Sequence, residues 1–301
     1  MGKNNADLSR PFLKWAGGKT QLLDEIKERL PDDLNADCKY FEPFVGGGAV
    51  FFCLNDLFKF KYAYLSDINE DLILTYNIIK EKPKLLIRKL KKFQKCYGSD
   101  EKDNKKLFYD TRDLFNEVNN INPYEISDKN ITRASQMIFL NKTCFNGLYR
   151  VNKKGGFNVP FANPKNPLIY DEKNIKNVSK SLKNVELVVA DYSKSLSLID
   201  KNSFVYLDPP YKPIDGKKSF SGYTKLGFED EDQKKLAKFC KDIDGKINAK
   251  FLLSNSKPED DIFERLYSKF KRDSVQAKRF INSNGNKRGP VYELLIYNYE
   301  I

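Results

Sequence analysis

Phe41-Glu42-Pro43-Phe44-Val45-Gly46-Gly47-Gly48-Ala49-Val50-Phe51-Phe52 reads as the end of a buried strand, a glycine turn and the start of an apolar helix. The glycines let the backbone come close to a ligand, and the helix start behind them favours an anionic group. Working outward, the strand reaches back to Lys39 and runs from Lys39 to Val45, and the helix begins at Ala49. Tyr62 to Ser66 forms the next strand, with a helix after Asp67. Asp67 thus stands at a strand end about twenty residues beyond the turn, where a carboxylate accepts hydrogen bonds from ribose hydroxyls. Together these features describe a nucleoside cofactor site; a glycine turn that only packs a helix on a sheet is the alternative reading of the motif alone. A dinucleotide fingerprint needs G-x-G-x-x-G, and Phe51 stands where its third small residue belongs, so S-adenosylmethionine fits better than NAD.

From about Leu72 to Leu140 the pattern turns helical, with Leu85, Leu86, Leu90 and Phe93 at three-to-four spacing and lysines between them. Phe145 to Phe161 carries Asn146-Gly147 and Lys154-Gly155-Gly156 between short aromatic and β-branched pieces, which predicts a hairpin or exposed loop. Strands return at Val185 to Val189, Phe204 to Leu207, Lys250 to Ser254 and Tyr292 to Tyr299, with helices at Glu229 to Lys241 and Glu259 to Lys269. A sheet built from early and late segments and interrupted by a helical middle predicts one α/β domain, 1–69 with 172–301, carrying an inserted domain at 70–171.

Composition narrows the chemistry. A chain of 301 residues, 40% hydrophobic, can bury a large core. Its net charge of +12 suits polyanionic partners, but only ten of the 53 cations are arginines, and lysines solvated on helix faces account for the excess equally well. Lys80 to Lys106 holds eleven Lys/Arg against four Asp/Glu and divides between the same two readings. The chain has no histidine, which excludes Ser-His-Asp triads and His-ligated zinc. Its five cysteines form no C-x-x-C pair, as expected of a reduced compartment. With no signal-peptide pattern and no apolar run near the roughly 20 residues of a membrane span, a cytoplasmic protein with no membrane and no metal partner is expected.

Two further stretches carry chemistry. In Phe12-Leu13-Lys14-Trp15-Ala16-Gly17-Gly18-Lys19-Thr20 the Gly-Lys-Thr suggests a phosphate loop, but Leu13 stands where that loop requires glycine. What is left is the only tryptophan of the chain between two lysines, able to cover an adenine ring or to pair with a carboxylate, or simply packed. Asp208-Pro209-Pro210-Tyr211 follows the apolar run Phe204-Val205-Tyr206-Leu207. Prolines cannot continue a sheet, so their carbonyls are free to face a cleft at the strand end. The Asp208 carboxylate and the Pro209 carbonyl can both accept hydrogen bonds from one exocyclic NH2, while Tyr211 offers a ring for stacking. A strand exit with a surface tyrosine is the alternative.

FLKWAGGK at Phe12–Lys19, FEPFVGGGAVFF at Phe41–Phe52, SDIN at Ser66–Asn69, FNGLYRVN at Phe145–Asn152 with GFNVPF at Gly156–Phe161, and YLDPPY at Tyr206–Tyr211 occur in this order. The chain from Phe12 onward resembles the DNA adenine N6-methyltransferases of the Dam and DpnM type. The resemblance implies a Rossmann-like class I methyltransferase sheet with an inserted, mainly helical target-recognition domain carrying a β-hairpin. It implies transfer of a methyl group from S-adenosylmethionine to adenine N6 in double-stranded DNA, within GATC, by base flipping. Trp15, Lys19, Phe44, Gly46, Asp67, Tyr192 and Asp208 would then line the cofactor site, and Asp208, Pro209, Pro210 and Tyr211 would hold the adenine. Lys14, Phe145, Asn146, Leu148, Arg150, Pro160, Lys165, Lys287 and Arg288 would meet DNA, with Arg150 reading guanine and Phe145 stacking or wedging near the emptied position. A cognate restriction endonuclease is a partner the family allows. Dam-like relatives often continue GFNVPF with Gly-Arg-Tyr-Lys; here Ala162-Asn163-Pro164-Lys165 follows, and an expected arginine contact is missing. The other readings are methyl transfer to cytosine N4, an RNA adenine or a protein glutamine, and a DNA-binding protein of this fold without activity.

Overall fold

In the computed structural model, which describes residues 8–118, 120–211, 228–256, 261–278 and 290–301, the chain opens with α1 (Leu23–Lys27), β1 (Lys39–Glu42), α2 (Ala49–Phe58) and β2 (Tyr62–Asp67). Five helices follow: α3 (Glu70–Glu81), α4 (Pro83–Cys96), α5 (Glu101–Glu117), α6 (Asp128–Thr143) and α7 (Glu172–Ser181). The sheet resumes with β3 (Val185–Val189) and β4 (Ser203–Leu207), then α8 (Asp230–Asp242), β5 (Lys250–Ser256), α9 (Ile262–Leu266), β6 (Lys271–Lys278) and β7 (Pro290–Tyr297). The strands form one seven-stranded sheet in the order β3-β2-β1-β4-β5-β7-β6. All neighbours pair in parallel except β7, which runs antiparallel to both β5 and β6. This is a Rossmann-like α/β fold.

The topology places the site. From β1 the chain works outward to β2 and β3, then returns across β1 to β4, so the strand order reverses between β1 and β4. A crevice opens at the carboxyl ends of strands at such a reversal. Pro43 has no N–H for a neighbour and ends β1 at Glu42, short of the predicted Val45.

Strand residues alternate between two cores. Tyr40, Leu65, Phe204, Tyr206 and Leu252 join the core on one side. Phe41, Tyr64, Val205, Leu207, Phe251 and Leu253 join the other, beneath α8 and α9. The helices between β2 and β3 add Leu72, Ile79, Leu86, Leu90, Phe108, Ile131 and Phe139 to the first of these cores.

Two expectations need correction, and β6 adds to them. β6 was not anticipated; Lys271-Arg272-Asp273-Ser274 gives no apolar alternation, and charged residues of this kind blunt a sheet edge. The segment Phe145–Phe161 pairs only through two isolated antiparallel bridges, Cys144 with Phe161 and Val151 with Phe157, so the hairpin lacks continuous strands. Asn116 of α5 explains part of this, because its amide takes both backbone groups of Phe157, at 2.8 and 3.0 Å. The late helix predicted from Glu259 to Lys269 is helical only over Ile262–Leu266, with residues 257–260 outside the described ones. No helix among the described residues is long and apolar enough to cross a membrane.

Candidate active site

The turn after β1 is clamped from two sides. Gly48 caps α2 at φ 71°, and a Cβ there would lie 2.5 Å from the Tyr76 hydroxyl. Gly46 sits at φ +46°, and a Cβ would fall 2.8 Å from the Trp15 ring. Only glycine accepts both the left-handed backbone and the close approach. The Tyr76 hydroxyl donates to the Gly46 carbonyl at 3.0 Å, and Trp15 stacks on Tyr149 with ring centroids 5.6 Å apart. Asn141 of α6 ties these parts together. Its side-chain oxygen accepts from the Lys14 amide at 2.9 Å, and its NH2 donates to the Lys14 and Gly147 carbonyls, each at 2.8 Å.

Three acids stand around this turn. Asp67, at the end of β2, accepts from the Gly46 amide at 3.2 Å and the Asn69 amide at 2.9 Å; burial nevertheless raises its carboxyl to about 6. Glu42, at the end of β1 and 2% exposed, accepts a 2.5 Å hydrogen bond from the Tyr40 hydroxyl. Burial raises it to about 8, with the charge of Asp208 adding to the effect and the Tyr40 bond, the Phe51 amide and Lys19 opposing it. Asp208 follows β4. Its Oδ1 meets the ammonium of the buried Lys19 at 2.7 Å and the Ser254 hydroxyl at 3.2 Å. Burial raises its carboxyl to about 6, against the pull of Lys19.

Lys19 has two further contacts that fix it. Its ammonium donates to the Gly17 carbonyl at 2.7 Å and lies 4.6 Å from the centroid of the Tyr211 ring. The Tyr211 hydroxyl in turn donates to Oε2 of Glu293 on β7 at 2.7 Å. Behind Asp208, Ser254 shares a 2.9 Å hydrogen bond with the Tyr206 hydroxyl.

An aromatic wall closes the other end. Phe44 and Tyr192 stack at 5.2 Å, Phe228 meets Phe44 edge-on at 6.1 Å, and Phe239 meets Tyr192 edge-on at 5.2 Å. One cavity of about 1820 Å³ joins the two ends, and Trp15, Lys19, Phe44, Gly46, Asp67, Tyr192, Asp208, Pro209, Pro210 and Tyr211 all line it. This is the full set that the sequence assigned to cofactor and base. Glu42, Tyr149, Phe228 and Phe239 also line it and were not anticipated. Among the described residues, no group of three or more Cys, Asp or Glu stands close enough to hold a metal ion. Flat rings at one end, a carboxylate at the end of β2 and a half-buried glycine turn lining the cavity suit an adenosine with a charged tail.

The residues expected to meet DNA are less closely grouped. Lys14 and Asn146 line the cavity mouth. Phe145 is 51% exposed beside them, on a tight turn where its amide donates to the Pro160 carbonyl at 2.9 Å. Leu148 packs partly against the core. Arg150 is held by Asn158, whose side-chain oxygen accepts from Nε at 2.7 Å and whose carbonyl accepts from Nη2 at 3.2 Å. Lys165 is exposed away from the cavity, beyond Pro164, whose carbonyl accepts from the Tyr97 hydroxyl at 3.0 Å. Lys287 and Arg288 lie outside the described residues. Lys142, which the sequence did not suggest, is lowered to about 8 by burial and by the neighbouring charge of Lys14.

The family described as D12 class N6 adenine-specific DNA methyltransferase matches residues 15–281. The type II methyltransferase M.MjaIII of Methanocaldococcus jannaschii is 50% identical over 294 residues, covering 96% of this chain and 99% of that protein. The type II methyltransferase M1.LlaDCHI of Lactococcus lactis subsp. cremoris is 35% identical, covering 99% and 98%. The DNA adenine methylase of Vibrio cholerae is 35% identical, covering 95% of each chain.

Proposed function

The chain belongs to the D12 class N6 adenine-specific DNA methyltransferases, and on that premise we propose that it moves a methyl group from S-adenosylmethionine to an adenine flipped out of double-stranded DNA at GATC. That it is an adenine-specific DNA methyltransferase follows from the family, which removes cytosine N4, RNA, protein glutamine and an inactive binder from consideration. The donor, the flipping, the GATC site and the role of each residue are the proposal. The observation that carries it is the meeting of Asp208, Pro209 and Tyr211 with the glycine turn and Asp67 in one cavity.

The donor supplies a methyl group on a positively charged sulfur, already an electrophile. The protein's part is to hold, orient and exclude water. Phe44, Tyr192, Phe228 and Phe239 offer an aromatic wall for the donor's base, Asp67 accepts from its ribose hydroxyls, and the turn at Gly46 takes its charged end. Extruding an adenine costs a few kcal/mol of unstacking, offset by stacking on Tyr211 and hydrogen bonds from N6 to Asp208 and Pro209. Lys19 and Ser254 both engage Oδ1 of Asp208, so Oδ2 is the oxygen we assign to the base. Two acceptors on one NH2 draw the nitrogen lone pair out of conjugation and aim it at the methyl carbon; as the N–C bond forms the S–C bond would break, the donor would leave as an uncharged thioether, and one N6 proton would be released to solvent. The negative site then stabilises the charge that develops on nitrogen.

The segment 70–171 is proposed as the target-recognition unit, with Lys14, Asn146, Phe145 and Arg150 on the DNA side. The type II names of two relatives support a cognate endonuclease as a partner. The test is an unmethylated plasmid incubated with tritiated S-adenosylmethionine, followed by mapping with methylation-sensitive nucleases. Label confined to GATC is expected, and label at another adenine sequence overturns the site. Asp208→Ala should cut turnover by about 10² to 10³-fold with little change in thermal unfolding; near-normal turnover removes the role given to Asp208.

A further inference from the structure

We propose that Glu293 on β7 is a positioning residue that fixes the direction of the Tyr211 ring axis; the idea rests on reading Tyr211 as the ring that faces the base. Tyr211 follows two prolines, so the backbone before it is stiff and its Cβ is well placed, but a ring held only at Cβ still swings about two torsions. The far end is held by Glu293, whose Oε2 accepts from the phenol hydroxyl at 2.7 Å. A ring anchored at both ends has a fixed long axis, and a cation over its face limits rotation about that axis. Lys19 lies 4.6 Å from the centroid of that ring and also holds Asp208 at 2.7 Å, so the ring and the carboxylate share a fixed cation.

The sheet delivers both supports from adjacent strands. Ser254, which donates to Asp208, is on β5 and pairs with Leu295 of β7. Ser256 pairs with Glu293, two residues along and on the same face. β7, the strand inserted antiparallel between β5 and β6, therefore brings a carboxylate to the aromatic side of the turn as β5 brings a hydroxyl to its acidic side. The groups that bear on Asp208 are Lys19, Glu42, Glu293, Tyr206 and Tyr211, and the charge of Glu293 raises its carboxyl.

The experiment compares Glu293→Ala, Glu293→Gln, Tyr211→Phe and the double variant Glu293→Ala with Tyr211→Phe, measuring kcat, KM for DNA, donor affinity and the pH profile. Glu293→Ala and Tyr211→Phe should each lower kcat about tenfold, the loss of one hydrogen bond to a charged group, with donor affinity unchanged. The double variant should be no worse than either single one, because both remove the same contact. Glu293→Gln, whose amide oxygen still accepts the hydroxyl, should recover most of kcat and shift the acid limb of kcat/KM to lower pH. Additive losses, or a normal Tyr211→Phe beside a defective Glu293→Ala, overturn the proposal. If Glu293→Ala does not fold, Tyr211→Phe removes the contact from the other side, and a wild-type kcat for it is then the overturning result. Tyr211→Ala separates the two ideas: near-normal methylation by that variant removes the base-facing reading itself, whatever Glu293 does.

Discussion

At Asp208 burial and an ion pair act in opposite directions, and the result sets when the residue can work. Lys19 favours the Asp208 carboxylate, yet enclosure raises that carboxyl to about 6, and Asp67 is raised to about 6 by enclosure against the backbone amides that donate to it. The proposed reaction uses both as acceptors and so requires both ionised. Activity should rise with pH through about 6 and level off above it. With two such groups, log kcat/KM of the free enzyme should fall on the acid side with a slope approaching two per pH unit. A slope of one in steady-state kinetics between pH 4.5 and 8 would show that only one aspartate limits the rate. The motifs made Asp67, Asp208 and Lys19 legible because each belongs to a short contiguous pattern. Ser254, Glu293 and Asn141 were not, because each acts across tens of residues on a partner that only the sheet or α6 brings close.

Among the elements, the turn from β1 into α2 has the narrowest tolerance. Gly48 combines a left-handed backbone with a hydroxyl 2.5 Å from where a Cβ would stand. Gly48→Ala should therefore cost about 2–4 kcal/mol in urea unfolding, from strain and from displacement of Tyr76. Tyr76→Phe, which removes the hydroxyl, should recover part of that loss in the double variant. The buried strands were legible since each is an apolar run bounded by turn residues, and their boundaries moved only by a residue to a few, as where Pro43 ends β1. β6 carries no such run. Of the two readings of Phe145–Phe161, hairpin or exposed loop, the hairpin is present only as two bridges, because an amide from α5 takes the backbone groups of Phe157, a contact no local pattern records.

At the scale of the whole molecule, the two faces of the sheet explain why α/β order could be read from periodicity while depth could not. Tyr40 and Phe41 look equivalent in the sequence, but one enters each core. Glu42, the next residue, gave no sign of being a polar group sealed at the boundary between core and cavity. Its carboxyl is raised to about 8, so below that pH the native state holds a proton that the unfolded chain, titrating near 4.5, has released. Native stability should therefore decline by up to about 1.4 kcal/mol per pH unit between those values, with Asp67 and Asp208 adding the same sign between about 4 and 6. Denaturation midpoints at pH 6, 7, 8 and 9 should drop for the natural chain up to pH 8, and the drop should be largely absent in Glu42→Gln. An equal drop in both proteins would place the linked proton elsewhere. A hydrogen ion is thus a stoichiometric ligand of this fold, and mild alkali acts on the protein as a chelator acts on a metalloprotein, by withdrawing something the native state was built to retain.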